Sequence, residues 1–142
     1  MSKSNALETA WLELFFKTTT MTGIADNTAT SPLTNLYVSL HTADPGEAGT
    51  AVTSETSYTS YARVAVARSG SGWTVSANSV SPAANIDFPA CTGGSATITH
   101  FGIVSTSSGA GTLFYSGTVT PNISVSSGVT PRLTTASTIT ED

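Results

Sequence analysis

Between Asn35 and Val66 the chain reads NLYVSLHTADPGEAGTAVTSETSYTSYARVAV, and no other stretch limits the fold as tightly. Leu36, Val38 and Leu40 alternate with Tyr37, Ser39 and His41, the two-residue period of a half-buried strand. Asp44-Pro45-Gly46 then turns the chain back: proline presets φ near −65°, glycine takes φ > 0, and the Asp44 carboxylate can accept a turn amide. A polar stretch from Glu47 to Thr59, weakly periodic, reads as a protruding arm or a loose edge hairpin. Tyr61 to Arg68 is the next strand, with Ala62, Val64 and Val66 on one face and Tyr61, Arg63 and Ala65 on the other.

The same pattern recurs downstream. Gly70-Ser71-Gly72 is a turn signal before a strand at Trp73–Ser76, with Val80–Pro82 following a turn at Asn78. Ile86–Pro89 reads as an edge strand closed by proline, and Ser95–Val104 as the strongest strand after the first. Leu113–Val119 pairs back after the Ser107–Gly111 turn. Ile123–Ser126 and Arg132–Thr140 give the last two strands, with Thr134–Thr140 open between strand and frayed tail. Turn signals fall roughly every 8–12 residues, a spacing that favours a sandwich or barrel over βαβ units.

One helix precedes these strands. Leu7, Ala10, Trp11, Leu14 and Phe15 make a one-sided apolar stripe, and Asn5 followed by Glu8 is a capping-box pattern. Glu8 and Lys17 suit the helix dipole, and Thr18-Thr19-Thr20 and Gly23 end the segment. A polar loop, Asp26 to Pro32, leads into the first strand. The expectation is one mainly-β domain over residues 1–142, an antiparallel sandwich or jelly-roll-like barrel with one N-terminal amphipathic helix. The helix runs from about 5 to 17 and the β-rich body from about 35 to 140. Trp11, Leu14 and Phe15 either lid the core or insert between subunits.

Composition narrows the function. Roughly a third of the residues are Ser or Thr, and only 10% are charged, against about 25% in ordinary domains. With 39% hydrophobic residues in clear alternation, the chain should fold. The net charge is −4, and Lys3, Lys17, Arg63, Arg68 and Arg132 are scattered, which argues against nucleic-acid binding. The single cysteine, Cys91, excludes an intramolecular disulfide and reads as a small, semi-buried apolar side chain rather than a reactive thiol, in a chain made in a reducing cytosol. No stretch reaches membrane-spanning length.

Catalytic candidates are few. His41, Asp44 and Glu47 lie close in sequence and in principle suit a metal or an acid–base pair, but they read as a solvated strand end and turn. His100 reads as a satisfied, half-buried histidine within a strand. Carboxylates meeting in space, Asp87 with Glu47 or Glu55 with Asp44, are the remaining route to a hydrolase. No nucleophile elbow, phosphate loop or calcium loop is present. The expectation is a protein that is not an enzyme and needs no cofactor or metal. Tyr37, Tyr58, Tyr61 and Trp73 gather near the first three strands, as a sugar-stacking surface or as a core Trp73 flanked by tyrosines with surface hydroxyls.

The LHTADPGE turn, the polar arm and the YARVAV strand resemble small structural proteins of tailed bacteriophages and prophages. Relatives of that kind are labelled tail-fibre or unnamed virion proteins, and some cement-type head proteins are of similar size. The resemblance runs from the helix to the Thr-rich tail. It implies a virion protein made in the bacterial host cytoplasm, acting through protein–protein contacts without nucleic acid or membrane. The implied partners are copies of itself and other virion proteins, the major capsid protein foremost. A polar, uncharged surface suits repeated burial, and an arm can reach a neighbour. Capsid cement or decoration ranks first, since many identical contacts brace a shell by multivalency. The alternative is a tail-fibre or tail-tip component touching the host surface, with carbohydrate binding as one form of it. Trp11, Leu14, Phe15, Tyr58 and Tyr61 are the interface candidates, and Asp44, Pro45 and Gly46 hold the turn.

Overall fold

A computed structural model describes residues 5–20 and 32–141, without the side chains of Asn5 and Leu7. The expected Asn5 cap, the Leu7 stripe position, Gly23 and the loop over residues 26–31 fall outside the described residues. Among the described residues one helix, α1 (Asn5–Lys17), precedes nine strands: β1 (Asn35–His41), β2 (Val64–Ala67), β3 (Trp73–Ser76), β4 (Ser79–Pro82), β5 (Ile86–Asp87), β6 (Ala96–Val104), β7 (Leu113–Val125), β8 (Arg132–Leu133) and β9 (Ile139–Thr140). The protein is mainly β. The pairs β1–β6, β6–β7, β3–β4 and β4–β9 are antiparallel, and among the described residues no sheet closes into a barrel. The barrel alternative drops out for that reason.

The chain divides into two compact units. The first gathers residues up to Asn35, Val66–Asn85 and Leu133–Asp142. Here β3, β4 and β9 form a three-stranded sheet on which α1 packs. The helix buries Glu8, Leu12 and Phe16 rather than the predicted stripe, and Phe16 meets Trp73 edge to face at 4.7 Å. Trp11 stays 41% exposed, while Leu14 and Phe15 are half-buried. Spacing alone did not separate these two faces because large apolar residues lie on both. Lys17 pairs with Glu13 at 2.9 Å, one turn back.

The C-terminal end of α1 is held by Arg68. Its guanidinium donates to the carbonyls of Leu14 (2.6 Å), Phe15 and Leu33 (3.3 Å), supplying donors and positive charge where helix carbonyls lack partners. Burial pushes the Arg68 pKa below its ordinary value. The segment expected to be either strand or tail is ordered at its end: β9 pairs with β4, Val80 opposite Ile139.

The second unit holds residues Leu36–Ala65 and Ile86–Arg132. Its sheet has the order β1–β6–β7, with β2, whose first two residues fall in this unit, beside β1. Tyr37 pairs with Val104 and His41 with His100 across β1 and β6. Leu36, Val38 and Leu40 are buried as the alternation predicts, but Ser39 and His41 are buried too, so the end of β1 is covered on both faces. The two strands predicted at Leu113–Val119 and Ile123–Ser126 are one, β7. Its register against β6 jumps from His100–Thr118 to Ile98–Ile123, so Val119–Asn122 bulge out around Pro121. A second shift leaves Phe114 as the extra residue near the start of β7. Cys91 is buried, with its thiol against the Gly93 carbonyl.

Candidate functional site

The described chemistry concentrates where the segment after the Asp44-Pro45-Gly46 turn folds back over the end of β1. The turn is built as its residues dictate. Gly46 sits at φ 69°, Asp44 Oδ1 accepts the Gly46 amide at 2.9 Å, and Pro45 is buried.

The segment beyond the turn is not a protruding arm. The Thr42 amide bonds the Ser54 carbonyl, the Thr56 amide bonds the Leu40 carbonyl, and the Ala51 amide reaches Gly111, each at 2.9–3.0 Å. Ala51, Thr56 and Tyr58 are buried. Low charge and weak periodicity suggested a solvated arm because the segment is fastened by backbone bonds and small buried side chains, which leave no hydrophobic repeat.

Two polar groups close this fastening. The first centres on Arg63 and Glu55. Arg63 Nε and Nη2 fork onto the two Glu55 oxygens, each at 2.7 Å. Nη1 donates to the Thr106 carbonyl (2.9 Å) and hydroxyl (3.1 Å), and Nη2 also donates to the Gly109 carbonyl (2.9 Å). All five guanidinium donors are thus occupied. The Tyr61 hydroxyl donates to Glu55 Oε1 (2.8 Å) and accepts the Leu40 amide (3.1 Å). The bond to Glu55 raises the Arg63 pKa, and burial raises that of Tyr61.

The second group is Ser39 with His41. His41 Nδ1 lies 2.8 Å from the Thr53 carbonyl, which can only accept, so Nδ1 carries the proton. Nε2 then accepts the Ser39 hydroxyl at 2.8 Å. A serine, a histidine and an oxygen that orients the ring are the elements of an activated nucleophile. Here both side chains are 0% exposed, and a Cβ added at Gly102 would stand 2.7 Å from Ser39 Oγ and 2.8 Å from His41 Nε2. The packing leaves a substrate no approach to that hydroxyl, and the pair ties β1 to the folded-back segment. Burial lowers the His41 pKa, and the bond to Thr53 opposes the shift.

The residues singled out from sequence are redistributed. His41 is interior, not a solvated strand end, and Asp44 and Glu47 are exposed. Among the described residues no group of three His, Cys, Asp or Glu is arranged to hold a metal. Glu55 pairs with Arg63 rather than Asp44, and Asp87 with Arg132 rather than Glu47. Arg132 holds the Asp87 carboxyl below its usual range. His100 is half-buried, with Nδ1 2.9 Å from the Thr99 hydroxyl. Trp73 fills the core of the first unit.

Two of the tyrosine hydroxyls are bonded internally, Tyr58 to the Pro89 carbonyl and Tyr61 to Glu55 Oε1, each at 2.8 Å, and the Tyr61 ring stacks on Phe88. Tyr58 is interior, so it does not present the contact surface expected of it. The Glu55–Arg63 fork and the Ser39–His41 pair were both missed. The available signal was the rarity of charge: in a chain with 10% charged residues, an arginine inside an alternating strand calls for a partner nearby.

A family model described as podophage GP4 fiber I protein gp80 matches residues 2–140. No curated protein matches the chain. With nearly its whole length matched, the chain belongs to the podophage fiber I protein gp80 family and is a structural protein of the phage virion.

Proposed function

We propose that this gp80-family member is a non-enzymatic fibre component, assembled against copies of itself and other virion proteins. The family description carries the reading, since it names a fiber protein and its model spans 2–140. That name supports the fibre role over the capsid-cement role ranked first from composition, and the arm invoked for reaching a shell neighbour is folded onto β1. Tyr58 and Tyr61, with hydroxyls bonded internally, are poor sugar-stacking platforms.

On α1 the sequence candidates keep surface to offer. Trp11 is 41% exposed, with the Phe15 ring 6.2 Å away. A rigid aromatic on an outer helix face is the residue type that anchors interfaces. Trp11→Ala should reduce incorporation into particles while the melting temperature stays near that of the wild type. An equally large loss of melting temperature would make Trp11 a core residue.

Antibody–gold labelling of intact particles tests the location. Gold confined to fibres or the tail supports the proposal, and uniform labelling of heads returns the protein to a cement role.

A further inference from the structure

We infer that His41 is a proton-operated latch: a second proton on its buried ring releases residues 50–54 from the end of β1 while the sheet stays folded. With one proton the ring is satisfied at both nitrogens. Nδ1 donates to the Thr53 carbonyl and Nε2 accepts the Ser39 hydroxyl, each at 2.8 Å. A second proton puts a donor on Nε2, facing a hydroxyl that is already donating. Ser39 can turn its proton toward the Gly102 carbonyl, but that oxygen is 3.4 Å away. The new charge also lacks a carboxylate of its own. Glu55 favours the imidazolium, while Arg63 and His100, the one ionisable side chain of β6, oppose it. Both Glu55 oxygens are held by the Arg63 fork, and Oε1 by the Tyr61 hydroxyl as well. Asp44 and Glu47 in the turn are exposed. An imidazolium enclosed in this way is costly, and the cost falls once the ring reaches water.

Which cover gives way follows from how each is fastened. On one side lies β6, paired along both edges, and a Cβ added at Gly102 would stand 2.8 Å from Nε2. On the other side, residues 50–54 are tied down lightly. The Ala51 amide bonds the Gly111 carbonyl, the Thr42 amide and hydroxyl bond the Ser54 carbonyl, and the His41 ring bonds Thr53. Ala51 is buried, but Val52 is 46% exposed. Ser54 sits at φ 55°, a left-handed conformation that strains a residue with a Cβ. Firm anchors bound the stretch: the Gly49 amide on the Gly46 carbonyl at 3.1 Å, and the Glu55–Arg63 fork at 2.7 Å. An opening that starts at Thr53 therefore stops at these two points.

The test is amide hydrogen exchange of the full chain by NMR from about pH 7.5 to 4.5, with the ring nitrogens of both histidines followed alongside. The open state takes up its proton near the ordinary 6.5, so protection at Thr42 and Ala51 should fall about tenfold per pH unit below that value. The amides of β6 should stay protected, and the fall should level off where the His41 ring itself charges. In His41→Gln, which leaves His100 as the one histidine, the slope should vanish. Protection at Thr42 and Ala51 that is flat with pH, or that is lost equally across β6, overturns the inference. So does a His41 ring that charges with both amides still protected, since the proton is then accommodated in place. A slope that survives in a folded His41→Gln chain overturns it too, and if that variant does not fold the wild-type readings decide alone.

Discussion

The second unit contains the same ion pair twice, in opposite surroundings. Arg63 forks onto Glu55 with its side chain 2% exposed, and Arg132 forks onto Asp87 with its side chain 53% exposed. Arg63 also satisfies two carbonyls and a hydroxyl, whereas the Arg132 fork stands in water between β5 and β8. Identical chemistry therefore carries different weight. In the interior a lost partner leaves an unpaired charge, and at the surface water replaces it.

Four substitutions or conditions break or sharpen that contrast. The largest effect belongs to Arg63→Met, which strands the Glu55 carboxylate. Chemical denaturation should show a loss of about 3–5 kcal/mol. Adding Glu55→Met should recover much of it, since the cost lies in leaving one charge alone rather than in losing the pair. Next is Gly102→Ala. Its Cβ would enter the contact of Ser39 and His41 and stand 2.9 Å from Leu113 Cδ1, and overpacking of this kind costs about 1–3 kcal/mol.

A smaller, pH-dependent loss comes from His41. Its folded pKa is depressed below the ordinary 6.5 by burial, so the unfolded chain takes up a proton first. Stability from this group is full above that value. It falls as pH drops through 6.5 and levels only below the folded pKa. Urea midpoints measured across this window should decline, and His41→Gln should flatten the profile. The smallest effect is that of Arg132→Ala, for which the melting temperature should match the wild type within error.

Much of the fold was legible before the structure. The helix over 5–17, the Trp73–Ser76 strand and the positive φ at Gly46 follow from period and turn chemistry. Local signals failed where contacts join residues far apart in sequence. Arg63 shared a face with Tyr61 and Ala65 in the expected alternating strand, and Thr106 and Gly109, more than forty residues on, draw it inward. His41 looked solvated because it precedes a turn, and what buries it is the folded-back Thr53 segment. Two strands were expected at Leu113–Val119 and Ile123–Ser126, and they are one, with Pro121 carried in a bulge. At the candidate site Asp44, Pro45 and Gly46 could be read directly. The Glu55–Arg63 fork depends on tertiary contacts that carry no local pattern.

The first unit draws on three separated stretches of chain, and its sheet is finished by Ile139 and Thr140. A thirteen-residue helix has little stability alone, and α1 finds a cap at Arg68 and an aromatic contact at Trp73. During synthesis, then, α1 waits for partners more than fifty residues behind it. A chain halted before Ile139 leaves β4 with an open edge, so this unit completes its sheet only once residues nearly sixty positions beyond β4 have joined it.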